Sequence, residues 1–93
     1  MMTADQLMAK AIETYQERLA VYGNNAKDRH GDVMSAFFPN GIHLGTAEDF
    51  ARFSILNMIV AKLVRYTNDL DNPHQDSIHD IGVYAFVLEE MGQ

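Results

Sequence analysis

The 93 residues hold one domain and leave no room for a second core. Hydrophobic residues make up 47%, Lys and Arg number 7 against 13 Asp and Glu, the net charge is −6, and there is no Cys. This excludes a disordered tail, disfavours a protein that coats DNA or RNA, and rules out disulfides, thiolate zinc sites and cysteine nucleophiles. A small anionic ligand in a local cationic pocket stays open. The absence of Cys fits a reducing cytoplasm. Met1 to Tyr15 is amphipathic and carries acids, without the apolar core of a signal peptide. The longest apolar stretch, Phe53 to Leu63, is interrupted by Ser54, Asn57 and Lys62 and is shorter than the roughly 20 residues a bilayer needs.

The pattern predicts three substantial helices and a short one over a single domain, 1–93, with no repeat and no linker. The first helix runs from about Thr3 to Tyr22. Thr3 and Gln6 have capping-box spacing, and Met8, Ile12, Tyr15, Leu19 and Tyr22 form a seam at steps of four and three. Gly23 supplies the stop. From Asn24 to Thr46 the chain reads as irregular, with a short helix over Asp32 to Phe38 ended by Pro39. A long helix opens at Thr46, with Asp49 three residues on, and continues to about Asn68. Phe50, Phe53, Ile55, Leu56, Met58, Ile59, Val60, Leu63 and Val64 make it apolar on nearly every side. Such a helix must be buried all round, and two partners in so small a chain cannot surround it. The expectation is therefore a homo-oligomer. After a turn over Asp69 to Gln75, with Asn72-Pro73 as an N-cap and N1 pair, the last helix reaches about Met91. The class is all-α.

The chemistry lies in polar residues inside the two apolar helices. At about 100° per residue, Ser54, Asn57 and Arg65 share one stripe of the long helix, and Lys62 lies on the neighbouring face. Either these groups satisfy neighbouring helices and snorkel at the helix end, or they form a phosphate site. On the last helix, Asp76, Ser77, Asp80 and Tyr84 fall within one arc. Asp76 and Asp80 are an i, i+4 carboxylate pair, and like charges at that spacing repel. The helix macrodipole accounts for Asp76 but less well for the deeper Asp80. A divalent cation accounts for both, and oxygen ligands alone suit Mg²⁺. His30, His43, His74 and His79 have no zinc spacing, but His74 is placed to contact a ligand from the turn. At the end of the first helix, Tyr22 is suited to stack on a base and Asn25 to read its edge, unless Tyr22-Gly23-Asn24-Asn25 is a plain helix stop.

Three pieces together carry a resemblance: Tyr22-Gly23-Asn24, Ala61-Lys62-Leu63-Val64-Arg65, and Asp76-Ser77-Ile78-His79-Asp80-Ile81-Gly82-Val83-Tyr84-Ala85. The chain resembles small phage and prophage proteins of the MazG-like, all-α nucleoside triphosphate pyrophosphohydrolase group. Within it, the chain looks most like a branch named only as a nucleotide-modification-associated or MazG-like domain. The resemblance covers about Tyr15 to Met91 and is strongest from Asp49 onward.

It implies a helical bundle that oligomerises and holds nucleotides between subunits. It also implies cleavage of (d)NTPs to monophosphate and pyrophosphate, with Mg²⁺ held by acids on two helices. Asp76 and Asp80 match the acidic motif of the second metal helix and are the catalytic candidates. Ser77 stands where other members have Glu, and Lys62 and Arg65 match basic positions of the closer branch. The chain departs from the group in one respect: other members carry Glu-x-x-Glu on the preceding helix, whereas Phe50 to Asn68 holds no acid. Glu48 and Asp49 at its start, or Glu13 and Glu17 on the first helix, are the substitutes.

The leading expectation is thus a cytoplasmic, homo-oligomeric, MazG-like protein that binds a nucleotide polyphosphate through Lys62, Arg65 and a Mg²⁺ on Asp76 and Asp80, as a Mg²⁺-dependent (d)NTP pyrophosphohydrolase. Its ligand-binding candidates are Lys62, Arg65, Asn57, Tyr22, Asn25, Ser77, Tyr84 and His74, and its metal candidates are Asp76, Asp80 and Asp49. The second expectation is a non-catalytic phage protein that sequesters a nucleotide or cyclic-nucleotide signal, and the third a purely structural helical oligomer. No membrane and no DNA or RNA polymer is expected as a partner.

Overall fold

A computed structural model describes residues 1–22 and 26–93, with the side chains at 21, 22 and 26–28 outside that description. It contains four helices and, among the described residues, no strand: α1 (Ala4–Tyr22), α2 (Ala26–Phe37), α3 (Ala47–Thr67) and α4 (Gln75–Met91). No helix is long and apolar enough to cross a membrane among the described residues.

Local chemistry explains most boundaries. Thr3 N–H donates to Gln6 Oε1 at 3.0 Å, which is half of the expected capping box on α1. Gly23, the expected stop of that helix, lies outside the described residues. At α3 the box is complete: Asp49 N–H donates to Thr46 Oγ1 at 3.1 Å, and Thr46 N–H donates to Asp49 Oδ2 at 3.2 Å. Between α2 and α3 the chain turns at Pro39-Asn40-Gly41. Gly41 takes φ +80°, a conformation most other residues resist, and its N–H bonds Phe38 O at 2.9 Å.

Two boundaries differ from the sequence expectation. α2 begins at Ala26, not near Asp32, and runs through Gly31. Glycine inside a helix costs about 1 kcal/mol, and α2 offsets it with two ties to α3. Arg29 Nη2 donates to Thr67 Oγ1, and His30 Nε2 shares a 2.6 Å hydrogen bond with Asn57 Oδ1. The last helix begins at Gln75, and Asn72-Pro73 stays in the turn before it. His74 is the N-cap, in an extended conformation (φ −76°, ψ 98°).

α3 is the hub. α4 runs antiparallel along it, as Arg52 near the start of α3 donates to Met91 O at the end of α4 (2.9 Å), while Lys62 late in α3 pairs with Asp80 early in α4. α2 packs on α3 less extensively, with Phe38 just beyond its end against Phe53 at 6.2 Å between ring centres, and α1 touches α3 only at a few positions. The consequence is a thin core. The only buried apolar residues described are Val60 and Val64. Met8, Ile12 and Tyr15 on α1 and Phe86 on α4 stay at least 60% exposed. The accessible surface is 7024 Å², whereas a compact monomer of this mass exposes about 5,400 Å².

The capping box yields a pH-dependent prediction. N–H donors from Gly45 and Thr46 hold the Asp49 carboxyl below its ordinary value. Its contribution to stability is therefore present above the unfolded carboxyl value near 4 and is lost as pH falls through the lower folded value. Thermal unfolding will show Asp49→Asn less stable than the parent at pH 7, with the gap closing in strong acid. Thr46→Ala will cost about 1 kcal/mol at neutral pH.

Candidate functional site

The polar residues of interest gather where the α3–α4 turn meets the end of α1 and the start of α2. Asp69 Oδ1 accepts N–H bonds from Asp71 (3.2 Å) and Asn72 (3.3 Å), folding the turn onto itself. The fold sets a pocket of about 260 Å³ there, lined by Ala20 from α1, Arg65 and Asn68 at the end of α3, and Asp69, Asn72, Pro73 and His74 from the turn.

His74 is held from below. Its Nδ1 shares a 2.7 Å hydrogen bond with Ser77 Oγ, and Ser77 has no exposed surface. Ser77, expected to touch a ligand, is fully buried, and its hydroxyl is engaged with the His74 imidazole. His74 makes no side-chain cap to the first-turn N–H groups of α4. Ser77 N–H donates instead to His74 O at 3.1 Å, and the positive end of the helix dipole at Gln75 and Asp76 is suited to an anion.

One turn before Arg65, Lys62 Nζ lies 3.1 Å from Asp80 Oδ2, with both side chains half-buried. The Arg65 guanidinium is pushed below its ordinary value by burial first and by the nearby charge of Arg18 second, while Asp80 pulls it back up. It stays protonated at neutral pH regardless. Arg18, on α1, thus brings its charge to bear on Arg65, and Arg29 at the start of α2 reaches Thr67 two residues past Arg65. In a chain with 7 Lys and Arg, four of them (Arg18, Arg29, Lys62 and Arg65) belong to this end. Arg18 and Arg29 were missed from sequence, because each looks like an ordinary solvated helix charge until the helices are placed.

The remaining candidates divide. Asp76 is exposed, one turn before Asp80. Tyr84 is half-buried, one turn beyond it. Asn57 bonds His30 and so ties α2 to α3 rather than facing the pocket. Tyr22, whose side chain is not described, and Asn25 lie outside the described residues. Asp49 does not join Asp76 and Asp80 within one chain. It sits 13 residues before Lys62, about 20 Å down the α3 axis, and is engaged in the capping box. Glu48 pairs with Arg52 at 2.8 Å, and Glu13 and Glu17 are exposed on α1. Among the described residues, no three His, Asp or Glu gather as a metal-holding group. The donor set at Asp80 does not fit Mg²⁺ well, because its carboxylate is already matched by the Lys62 ammonium. Among known proteins, no family model, curated protein or solved structure matches the chain.

Ser77 separates packing from chemistry. Ser77→Ala will cost about 1 kcal/mol for the lost hydrogen bond. Ser77→Leu will cost about 1–3 kcal/mol by overpacking the α3–α4 contact. Urea midpoints with unchanged slopes check both.

Proposed function

We propose that this is a MazG-like protein that binds a nucleotide polyphosphate at the Arg65–His74 end of the bundle. One observation carries the reading: the pocket at the start of α4 is lined by Arg65 and His74, with Lys62 one turn from Arg65 and the charge of Arg18 bearing on it. Guanidinium forks take phosphate oxygens in pairs, and the α4 N-terminus adds a favourable dipole. The same pocket holds Asn68, Asn72 and Asp69, whose amides and carboxylate suit sugar hydroxyls and base edges. A site mixing cations with such groups fits a nucleotide better than a bare inorganic anion.

Two forms of this reading differ in turnover. Asp80 is paired with Lys62 and Asp49 caps α3, which favours a binder that retains its nucleotide, such as a phage protein sequestering a nucleotide signal. The hydrolytic form, a Mg²⁺-dependent (d)NTP pyrophosphohydrolase, draws on Asp76 and Asp80 one helical turn apart. We also propose that the protein works as a cytoplasmic homo-oligomer. Its surface exceeds that of a compact monomer by about 1,600 Å² per chain, and permanent homomeric interfaces bury roughly 2,000–5,000 Å² in total.

Incubation with NTPs, dNTPs and cyclic dinucleotides plus Mg²⁺, followed by ultrafiltration and anion-exchange chromatography, tests the reading. One nucleotide retained and released intact is the expected result. Monophosphate with pyrophosphate would establish the hydrolytic form. Passage of every nucleotide unchanged would leave only a structural helical oligomer. Arg65→Ala will weaken retention about tenfold or more, as a charged hydrogen bond is worth about 1.5–3 kcal/mol. Light scattering will give a multiple of 10.5 kDa, and a single-chain mass would overturn the oligomer.

A further inference from the structure

We propose that α1 is an intersubunit arm. Its groove of Leu7, Ala11 and Tyr15, edged by Lys10 and Arg18, docks on the outer face of α4 of a second copy, and that copy's α1 docks in return. The inference rests on the homo-oligomer reading above and goes beyond it by naming the two surfaces that meet.

α1 has the pattern of a packed helix and the surroundings of an isolated one. Across residues 4–20 only Thr14 and Leu19 are part-buried. The radius of gyration is 16.2 Å, against about 12 Å for a compact chain of this length. Leu7, Lys10, Ala11, Thr14, Tyr15 and Arg18 form a groove along one side of the helix. At 100° per residue, Ala20 lies about 200° round the helix from Arg18. The groove therefore turns away from the Arg65–His74 pocket, whose wall contains Ala20, and a partner can fill the groove without closing the pocket.

The matching surface is on α4. Its buried and half-buried positions Ser77, Ile81, Tyr84 and Leu88 recur at helical spacing and mark the face packed on α3. Asp76, Val83, Phe86, Val87 and Glu90 lie on the far side, all exposed. From Tyr66 to Gln93 the chain holds no Lys or Arg. This face is therefore apolar in the middle and anionic at both ends, and two copies of it repel. Two α1 grooves would likewise bring cation to cation. The pairing that satisfies both signs is α1 on α4. Reciprocal exchange is a closed two-fold arrangement with two such contacts per dimer. The 7024 Å² surface exceeds that of a compact monomer by about 1,600 Å² per chain. Covering that excess on both chains falls within the roughly 2,000–5,000 Å² that permanent homomeric interfaces bury.

The absence of Cys allows site-specific cross-linking. Tyr15→Cys chains and Phe86→Cys chains, the second enlarged by a tag, are refolded together and treated with a short bismaleimide. The mixed two-chain product is expected on a denaturing gel. Glu13→Cys, on the other side of α1, is expected to couple to Phe86→Cys at least tenfold less. In dilution series followed by light scattering, Phe86→Asp is expected to weaken assembly at least tenfold, and Arg18→Glu several-fold at low salt. Both residues are exposed in the single chain, so the variants keep their helices, and circular dichroism checks this. Coupling of Tyr15→Cys to Met58→Cys in place of Phe86→Cys would put α1 on α3 and overturn the proposal. Equal coupling from Glu13→Cys, or an assembly indifferent to Phe86→Asp, would overturn it too. A parent protein of 10.5 kDa in solution would remove the oligomer reading as well. A parent that assembles without giving the α1–α4 product overturns this inference alone.

Discussion

A helix such as α3, with Phe50, Phe53, Leu56, Ile59, Val60, Leu63 and Val64 spread round its circumference, gives up about 25 cal/mol for every Å² of apolar surface left in water. Within one chain, α4 covers one side of it, α2 part of another and α1 little. Only Val60 and Val64 reach full burial as a result. The arrangement of the other three helices is a partial answer to this demand, and the unanswered part is written on the surface as Phe50, Met58 and Leu63, together with the apolar faces of α1 and the outer side of α4. A fold with so little interior relies on directional contacts to set its registers. The α3–α4 pair is pinned at one end by Arg52 on Met91 O and at the other by Lys62 on Asp80.

The same two pins show how differently the ends of the bundle are built. At the Arg52 end the neighbouring pocket is mostly apolar, lined by Phe38, Ile42, Leu44, Phe53, Leu56 and Leu88, and the charges there satisfy one another or the backbone. At the Lys62 end the pocket lining is polar, with Arg65 and His74 beside Asn68, Asp69 and Asn72. Burial and the charge of Arg18 both work against the Arg65 guanidinium there, and the Asp80 carboxylate works for it. Perturbed, part-buried charge of this kind is common at functional sites, which is why the proposed ligand is placed at this end.

The helices were legible because each has a local cause. The Thr46–Asp49 box, the apolar seam of α1 and the stop at Pro39 act within a few residues, and periodicity reads them directly. α2 was read too short because its first half, Lys27 to Gly31, has no apolar repeat and contains glycine; its ties come from Thr67 and Asn57 on another helix. The start of α4 was misplaced by one or two residues because Asn72-Pro73 carries a strong local signal, while the bond between His74 and Ser77 sets the first turn. Lys62, Arg65 and His74 stood out as polar groups in or beside apolar helices. Arg18 and Arg29 did not, since their significance is the distance to another helix. Asp80 stood out as deeper in its helix than the macrodipole explains, but that its neighbour is an ammonium depends on how α3 and α4 pack.

α1 joins the two themes. It is 19 residues long, and a helix of that length without strong tertiary support is marginal in water. Its contacts with its own chain are few, and its apolar face is exposed. Yet the charge that acts on Arg65 comes from Arg18 on this helix. Whatever covers Met8, Ile12 and Tyr15 therefore also fixes where Arg18 stands. If a second copy supplies that cover, as proposed, ordering of α1 also sets Ala20 in the wall of the Arg65–His74 pocket. Ligand and partner then each favour the arrangement that the other needs, and by linkage each strengthens the binding of the other. A small chain with a thin core would in this way gain, from assembly, both the burial it lacks and a fixed wall for its pocket.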